Sequence, residues 1–187
     1  MPSATALTEA EVNTAIQAIA AAALLSTRII PRRLLALEDG ENPAAFRSSA
    51  DSDRVNSLMF WRSAILKDGQ EAGSTLATGP APSFSPSRLT SQGRLDVESW
   101  VYSFRLYSEN TVTGSDASNS EASFNAKIDA LNAAFGVKPK LGIDSYRIDR
   151  HGGLIWPLIT ALTANDVLID TAHGQLTVVV HTAATPS

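Results

Sequence analysis

The chain has 187 residues, 15 Lys+Arg against 19 Asp+Glu, three His and no Cys. The length suits one domain, or one domain with a long arm, and the lack of Cys excludes disulfides, thiolate catalysis, iron–sulfur clusters and Cys-ligated zinc. A net charge of −4 and a pI near 5.3 argue against a general nucleic-acid binder, which carries a basic excess. Charged residues are 18% of the chain, below the ordinary share of about a quarter. Two readings fit that shortage: a surface covered by partners, or Ser, Thr and Ala standing where charges usually stand.

The longest apolar run, Ala18–Leu25, has eight residues, and a membrane span needs about 20. Met1–Glu11 has no basic region ahead of an apolar core, so no secretory signal is expected. The expectation is a soluble protein made and used in the cytoplasm, or assembled there.

The first element is a helix over Glu9–Leu25. Thr8 and Glu11 have capping-box spacing, and Val12, Ile16, Ile19, Ala20, Ala23 and Leu24 recur on one helical stripe. The other face, with Asn13, Gln17 and small Ala, is nearly uncharged. It reads as a second covered face or as an Ala-rich face of good helix propensity. After Pro31, Arg32–Glu38 reads as a short extended segment, with Asp39-Gly40 as a turn. Arg28, Arg32 and Arg33 form a small basic cluster. It suits an acidic partner or DNA phosphate, and equally the charge that a helix C-terminus favours.

Val55–Leu66 reads as a strand. Lys67–Gly93 then holds four Gly, three Pro and five Ser in 27 residues. It shows no periodicity, so residues 67–95 read as a long loop or arm of the kind that is functional or left out of the core. Asp96–Ser108 is the clearest strand: Trp100, Tyr102, Phe104 and Leu106 alternate with Ser99, Ser103 and Arg105. Glu109–Glu121 reads as a polar loop with three acids and no base, ending at Ser118 and Glu121 in capping-box spacing. A helix follows, with Phe124, Ile128, Leu131 and Phe135 on one stripe and Gly136 as its stop.

After Pro139, Ile143–Arg150 reads as a strand and His151-Gly152-Gly153 as a turn. Leu154–Leu162 is apolar but broken by Pro157, so it is an edge strand or a loop plugging the core. Ala172–Gly174 reads as a turn. Leu176, Val178 and Val180 alternate in a final strand, and residues 183–187 form a frayed tail. Adjacent strands joined by short turns imply an α+β fold: a mainly antiparallel sheet flanked by two helices, with one long extended loop, as a single domain over residues 1–187.

The chemistry of catalysis is sparse. No phosphate-binding Gly fingerprint, HExxH motif or GxSxG elbow occurs. His151 and His173 adjoin Gly and read as turn residues rather than ligands or bases, and His181 as a strand residue. Asp144 and Asp149 are five positions apart on an expected strand, so they point to opposite faces and do not pair for acid–base work. Asp166 and Asp170 read as a turn and a strand end. No enzyme, cofactor or metal is expected. Trp61, Trp100 and Trp156 suit core or interface anchors. Trp156, ahead of Pro157 in a broken apolar segment, is the candidate for an exposed interface anchor, together with Arg32, Arg33 and Arg88.

One pattern spans Val55–Thr182. A strand opening Val55-Asn56-Ser57 carries Trp61. A long loop leads to the aromatic strand Trp100-Val101-Tyr102-Ser103-Phe104-Arg105-Leu106-Tyr107. A short polar loop leads to a helix entered as Glu121-Ala122-Ser123-Phe124-Asn125 and continued by Ile128-Asp129-Ala130-Leu131, and two strands close the chain. This arrangement resembles the tail terminator and neck (head–tail joining) proteins of long-tailed bacteriophages. The resemblance implies a virion subunit assembled in the host cytoplasm as a homo-oligomeric, hexameric ring. Such a ring caps the tail tube protein, meets the head connector or adaptor proteins, and lets DNA pass through its lumen with neither catalysis nor sequence-specific binding. The longer Lys67–Gly93 loop departs from the smallest members of that family. A lumen that lets DNA slide should repel phosphate, so Glu109, Asp116 and Glu121 are the candidates for its wall or rim. The competing readings are another virion part, such as a connector adaptor or tail tube subunit, and a soluble α+β ligand-binding domain.

Overall fold

A computed structural model describes residues 7–25, 27–31, 56–67, 89–90, 93–94, 96–110, 117–144, 147–164 and 167–182. Among the described residues nine elements follow one another: α1 (Glu9–Ala23), β1 (Arg28–Ile30), β2 (Ser57–Lys67), β3 (Leu89–Thr90), β4 (Gly93–Arg94), β5 (Asp96–Asn110), α2 (Ala117–Gly136), β6 (Ile148–Ala164) and β7 (Val167–Thr182). Five strands make one sheet in the order β1-β2-β5-β7-β6, and β3 pairs with β4 apart from it. Every pairing in the main sheet is antiparallel except β1 with β2. The fold is therefore α+β, with a mixed sheet.

Helix α1 begins as its sequence dictates. Thr8 Oγ1 accepts from the Glu11 N–H at 3.3 Å, and the Thr8 N–H donates to Glu11 Oε2 at 2.9 Å. This reciprocal box satisfies two donors that no helix turn reaches. Arg147 Nη2, just ahead of β6, donates to both Glu11 oxygens at 2.8 and 2.7 Å, tying the start of α1 to the far side of the sheet. The Thr8 backbone N–H, the Thr8 hydroxyl and then Arg147 hold the Glu11 carboxyl at a pKa of about 2. Glu9 pairs with Arg62 of β2, whose guanidinium lies 4.8 Å from the centroid of the Trp100 ring.

The two helices and the inward side chains of the sheet enclose one core. Alternation places Leu58, Phe60, Trp100, Tyr102, Phe104, Leu106, Ala172, Leu176, Val178 and Val180 on the face that meets Val12, Ile16 and Ile19 of α1 and Phe124, Ile128, Leu131 and Phe135 of α2. Aromatic contacts run through it. Phe60 stacks on Phe104 at 5.7 Å between centroids, Phe104 meets Phe135 edge-on at 5.9 Å, and Phe135 meets the His151 ring edge-on at 6.0 Å. On the opposite face Ile30, Met59, Tyr107 and Ile169 form a smaller cluster with Trp61.

Several elements depart from the sequence reading, each for a local physical reason. His151-Gly152-Gly153 is not a turn, and the strand does not end at Arg150. β6 begins at Ile148 and runs through both glycines and through Pro157. Its register against β7 slips at Ile148/Arg150, His151/Leu154 and Ile155/Leu158. The last two slips are β-bulges that contain Gly152-Gly153 and Trp156-Pro157, residues a regular ladder rejects. Gly153 has a φ of 83°, a left-handed geometry that glycine accepts freely. Helix α2 is followed not by a strand at Ile143 but by turns, with Leu141 and Gly142 at φ 54° and 75°. Asp144 thus lies outside any strand.

Ala172–Gly174 is likewise mid-strand, inside β7. Gly174 is there for space: a Cβ at this position would stand 2.8 Å from the Trp156 ring and 3.1 Å from Phe104 Cβ. Glu109 belongs to β5, and Ser118 and Glu121 lie inside α2, which starts at Ala117. The expected capping box at Ser118/Glu121 is therefore not the helix start. Within the expected arm, Lys67 extends β2, and Leu89–Thr90 pairs antiparallel with Gly93–Arg94 as β3 and β4. The expected extended segment at Arg32–Glu38, the Asp39-Gly40 turn, most of the 67–95 arm, Asp166 and the tail 183–187 lie outside the described residues.

Gly174→Ala forces the Trp156 ring off β7 and should lower stability by about 1–3 kcal/mol, read as a fall in the denaturant midpoint. Glu11 titrates at about 2 in the fold against 4.5 unfolded. Its stabilising share is thus whole above about pH 4.5 and lost as pH falls toward 2. Glu11→Gln should flatten the acid limb of a thermal-unfolding pH series in that window.

Candidate interaction surface

β6 is an outer strand of the sheet, and among the described residues it pairs with one strand, β7. From Ile155 to Ala161 most of its side chains are exposed, and the large ones are apolar: Ile155 at 60%, Leu158 at 43% and Ile159 at 52%. No Lys, Arg, Asp or Glu occurs between Gly152 and Asn165. The register puts Ile155 and Leu158 on one face, opposite Gln175 and His173, and Ile159 on the other, opposite Ala172. A chain with only 18% charged residues thus gathers bare apolar side chains on one open sheet edge, a marker of contact surfaces. Pro157 and the bulges interrupt the regular ladder. That disfavours the addition of another strand at this edge.

Trp156 does not belong to the exposed set. It is half-buried, with its ring against Gly174 and its Nε1 donating to Asn132 Oδ1 of α2 at 3.0 Å. It anchors the outer strand to the helix layer, and its neighbours Ile155, Leu158 and Ile159 are left exposed instead. Glu121 is exposed on the second turn of α2. Glu109 lies near the end of β5, so the two acids flank the β5–α2 connection. Asp116, Arg32, Arg33 and Arg88 lie outside the described residues. Arg28 is an exposed strand residue of β1.

The histidines sit in strands rather than turns. His151 is buried. Its Nδ1 accepts from the Gly153 N–H at 3.1 Å, so the neutral ring carries its proton on Nε2, which donates to the Lys138 carbonyl at 2.9 Å. The ring is fully used in joining the turn after α2 to the first β6 bulge containing glycine. Among the described residues no group of His, Asp and Glu is arranged to hold a metal ion. Among the same residues no helix is long and apolar enough to cross a membrane.

Sequence reasoning missed one polar cluster. Lys127 of α2 turns inward beside the Phe124–Ile128–Leu131 stripe and donates to Ser108 Oγ of β5 at 2.8 Å and to Asn56 Oδ1 at 3.4 Å. Burial pushes its amine below the ordinary lysine pKa, while the charge of Asp170 pulls the other way. The one signal available was a lysine three residues from Phe124, on the edge of the apolar stripe, which a sequence reader assigns to solvent. No family model matches the chain, and no curated protein matches it.

Proposed function

We propose that the chain is a structural subunit of a bacteriophage tail neck: a tail terminator that forms a ring, caps the tail tube and meets the head connector while DNA passes through its lumen. The observation that carries this reading is the division of surfaces on the α+β subunit. Both helices close one face of the sheet, and the outer strand β6 exposes the uncharged strip Ile155, Leu158 and Ile159. A ring subunit needs a surface patch that meets a different patch on the next copy, so that rotation closes the assembly. An apolar strip at the lateral end of a sheet is suited to that use. The acids Glu109 and Glu121, flanking the β5–α2 connection with Asp116, suit a rim that keeps DNA phosphate from sticking.

The alternatives, a connector adaptor, a tail tube subunit or a ligand-binding domain, have no observation of their own in the fold. The sequence pattern favours the terminator among virion parts, because one long loop stands where a tube subunit carries a longer stacking hairpin. Negative-stain images of particles assembled without this protein test the reading. Overlong tails, or tails without heads, are the expected result, and intact virions of normal tail length would overturn it.

A further inference from the structure

The cluster around Lys127 has the parts of a reaction as well as of a strut. Lys127 Nζ lies 3.4 Å from Asn56 Oδ1, across 71 residues of sequence. Ser108 Oγ donates to the same Asn56 oxygen at 3.4 Å and accepts from Lys127 Nζ at 2.8 Å. Ser108 is buried, and its direct cross-strand neighbour on β7 is Asp170, whose charge reaches the lysine. An amine, a carboxamide, a hydroxyl aimed at the carboxamide oxygen and a neighbouring carboxyl are thus held at the meeting point of β2, β5, β7 and α2.

We infer that Lys127 and Asn56 join in an intramolecular isopeptide bond. The neutral Lys127 amine adds to Asn56 Cγ, and the negative charge that develops on Oδ1 is met by the Ser108 hydroxyl, as a preorganised donor meets an oxyanion. A proton passes from Nζ to Asn56 Nδ2, with the Asp170 carboxyl as its carrier. The Cγ–Nδ2 bond breaks, ammonia leaves, and an amide links Nζ to Cγ. One C–N bond forms, one breaks, and no oxidant, reductant or cofactor is consumed. Burial favours the step because it lowers the cost of the neutral amine, the form that attacks. The product ties α2 to the head of β2 by a covalent link in place of one hydrogen bond. This inference stands apart from the tail reading: the crosslink is tested on the isolated chain, and either can fail without the other.

Intact-mass measurement of the purified full chain, held at mildly alkaline pH after folding, decides it. A species lighter than the sequence mass by one ammonia is expected, and fragmentation should give a branched peptide containing both Asn56 and Lys127. Asn56→Ala and Lys127→Arg should keep the full mass, and Asp170→Asn should form the link more slowly. A wild-type chain that keeps its full mass overturns the proposal. So does ammonia loss confined to a linear Asn56 peptide, which is ordinary succinimide formation at Asn56-Ser57. Because the mass of the wild-type chain is itself decisive, failure of a variant to fold does not blunt the test.

Discussion

The edge-on contact of Phe104 with Phe135 is the joint on which this molecule depends. Phe104 stands mid-way along β5, between Phe60 on β2 and Gly174 on β7, and Phe135 is on the last turn of α2. Aromatic rings bury more apolar surface than other side chains and prefer offset or edge-on geometry, so one contact sets both the height and the rotation of the helix over the sheet. With α2 fixed there, Phe135 also meets His151, and β6 lies outside β7. The exposed strip of β6 follows from that position: His151 and Trp156 meet the helix, while Ile155 and Leu158 lie on the face away from it.

That strand shows how a sheet accommodates residues it ordinarily rejects. Gly152-Gly153 and Pro157 each sit inside a bulge, where an unpaired residue costs the ladder little. The bulges also re-aim the chain. Trp156 turns inward over Gly174 to reach Asn132, while Ile155 and Leu158 stay on the opposite face. A regular ladder through these residues would alternate strictly and place the tryptophan and its neighbours differently. The irregularity therefore determines which apolar side chains are structural and which are left for contact.

The parts of the fold legible in the sequence are those with an unbroken period. The stripe Val12–Ile16–Ile19, the capping box of Thr8 and Glu11, the alternation from Trp100 to Leu106 and the stripe Phe124–Ile128–Leu131–Phe135 all lie where their spacing puts them. Two of the readings that fail turn on glycine. Gly153 and Gly174 suggest chain reversals, but one relieves a bulge and the other makes room for a ring. Turn and close approach leave the same mark in a sequence, and only the neighbour across the sheet separates them. The contact surface is half legible. The broken apolar run Leu154–Leu162 points to an edge strand, yet alternation from Leu154 and Ile155 carries the expected exposed anchor Trp156 inward over Gly174, and the bulge after it returns Leu158 to the outer face. The Lys127 cluster leaves little trace, because its partners come from β5, β7 and the residue ahead of β2.

The proposed role ties the open apolar edge to a place in a particle. Hydroxyl-radical footprinting of the chain, alone and within purified virions, measures that link directly. Ile155, Leu158 and Ile159 should be oxidised in the free chain and protected in the particle, while Phe104 and Phe135 stay unlabelled in both. Equal labelling of the strip in the two states, or absence of the chain from the particle, would contradict it.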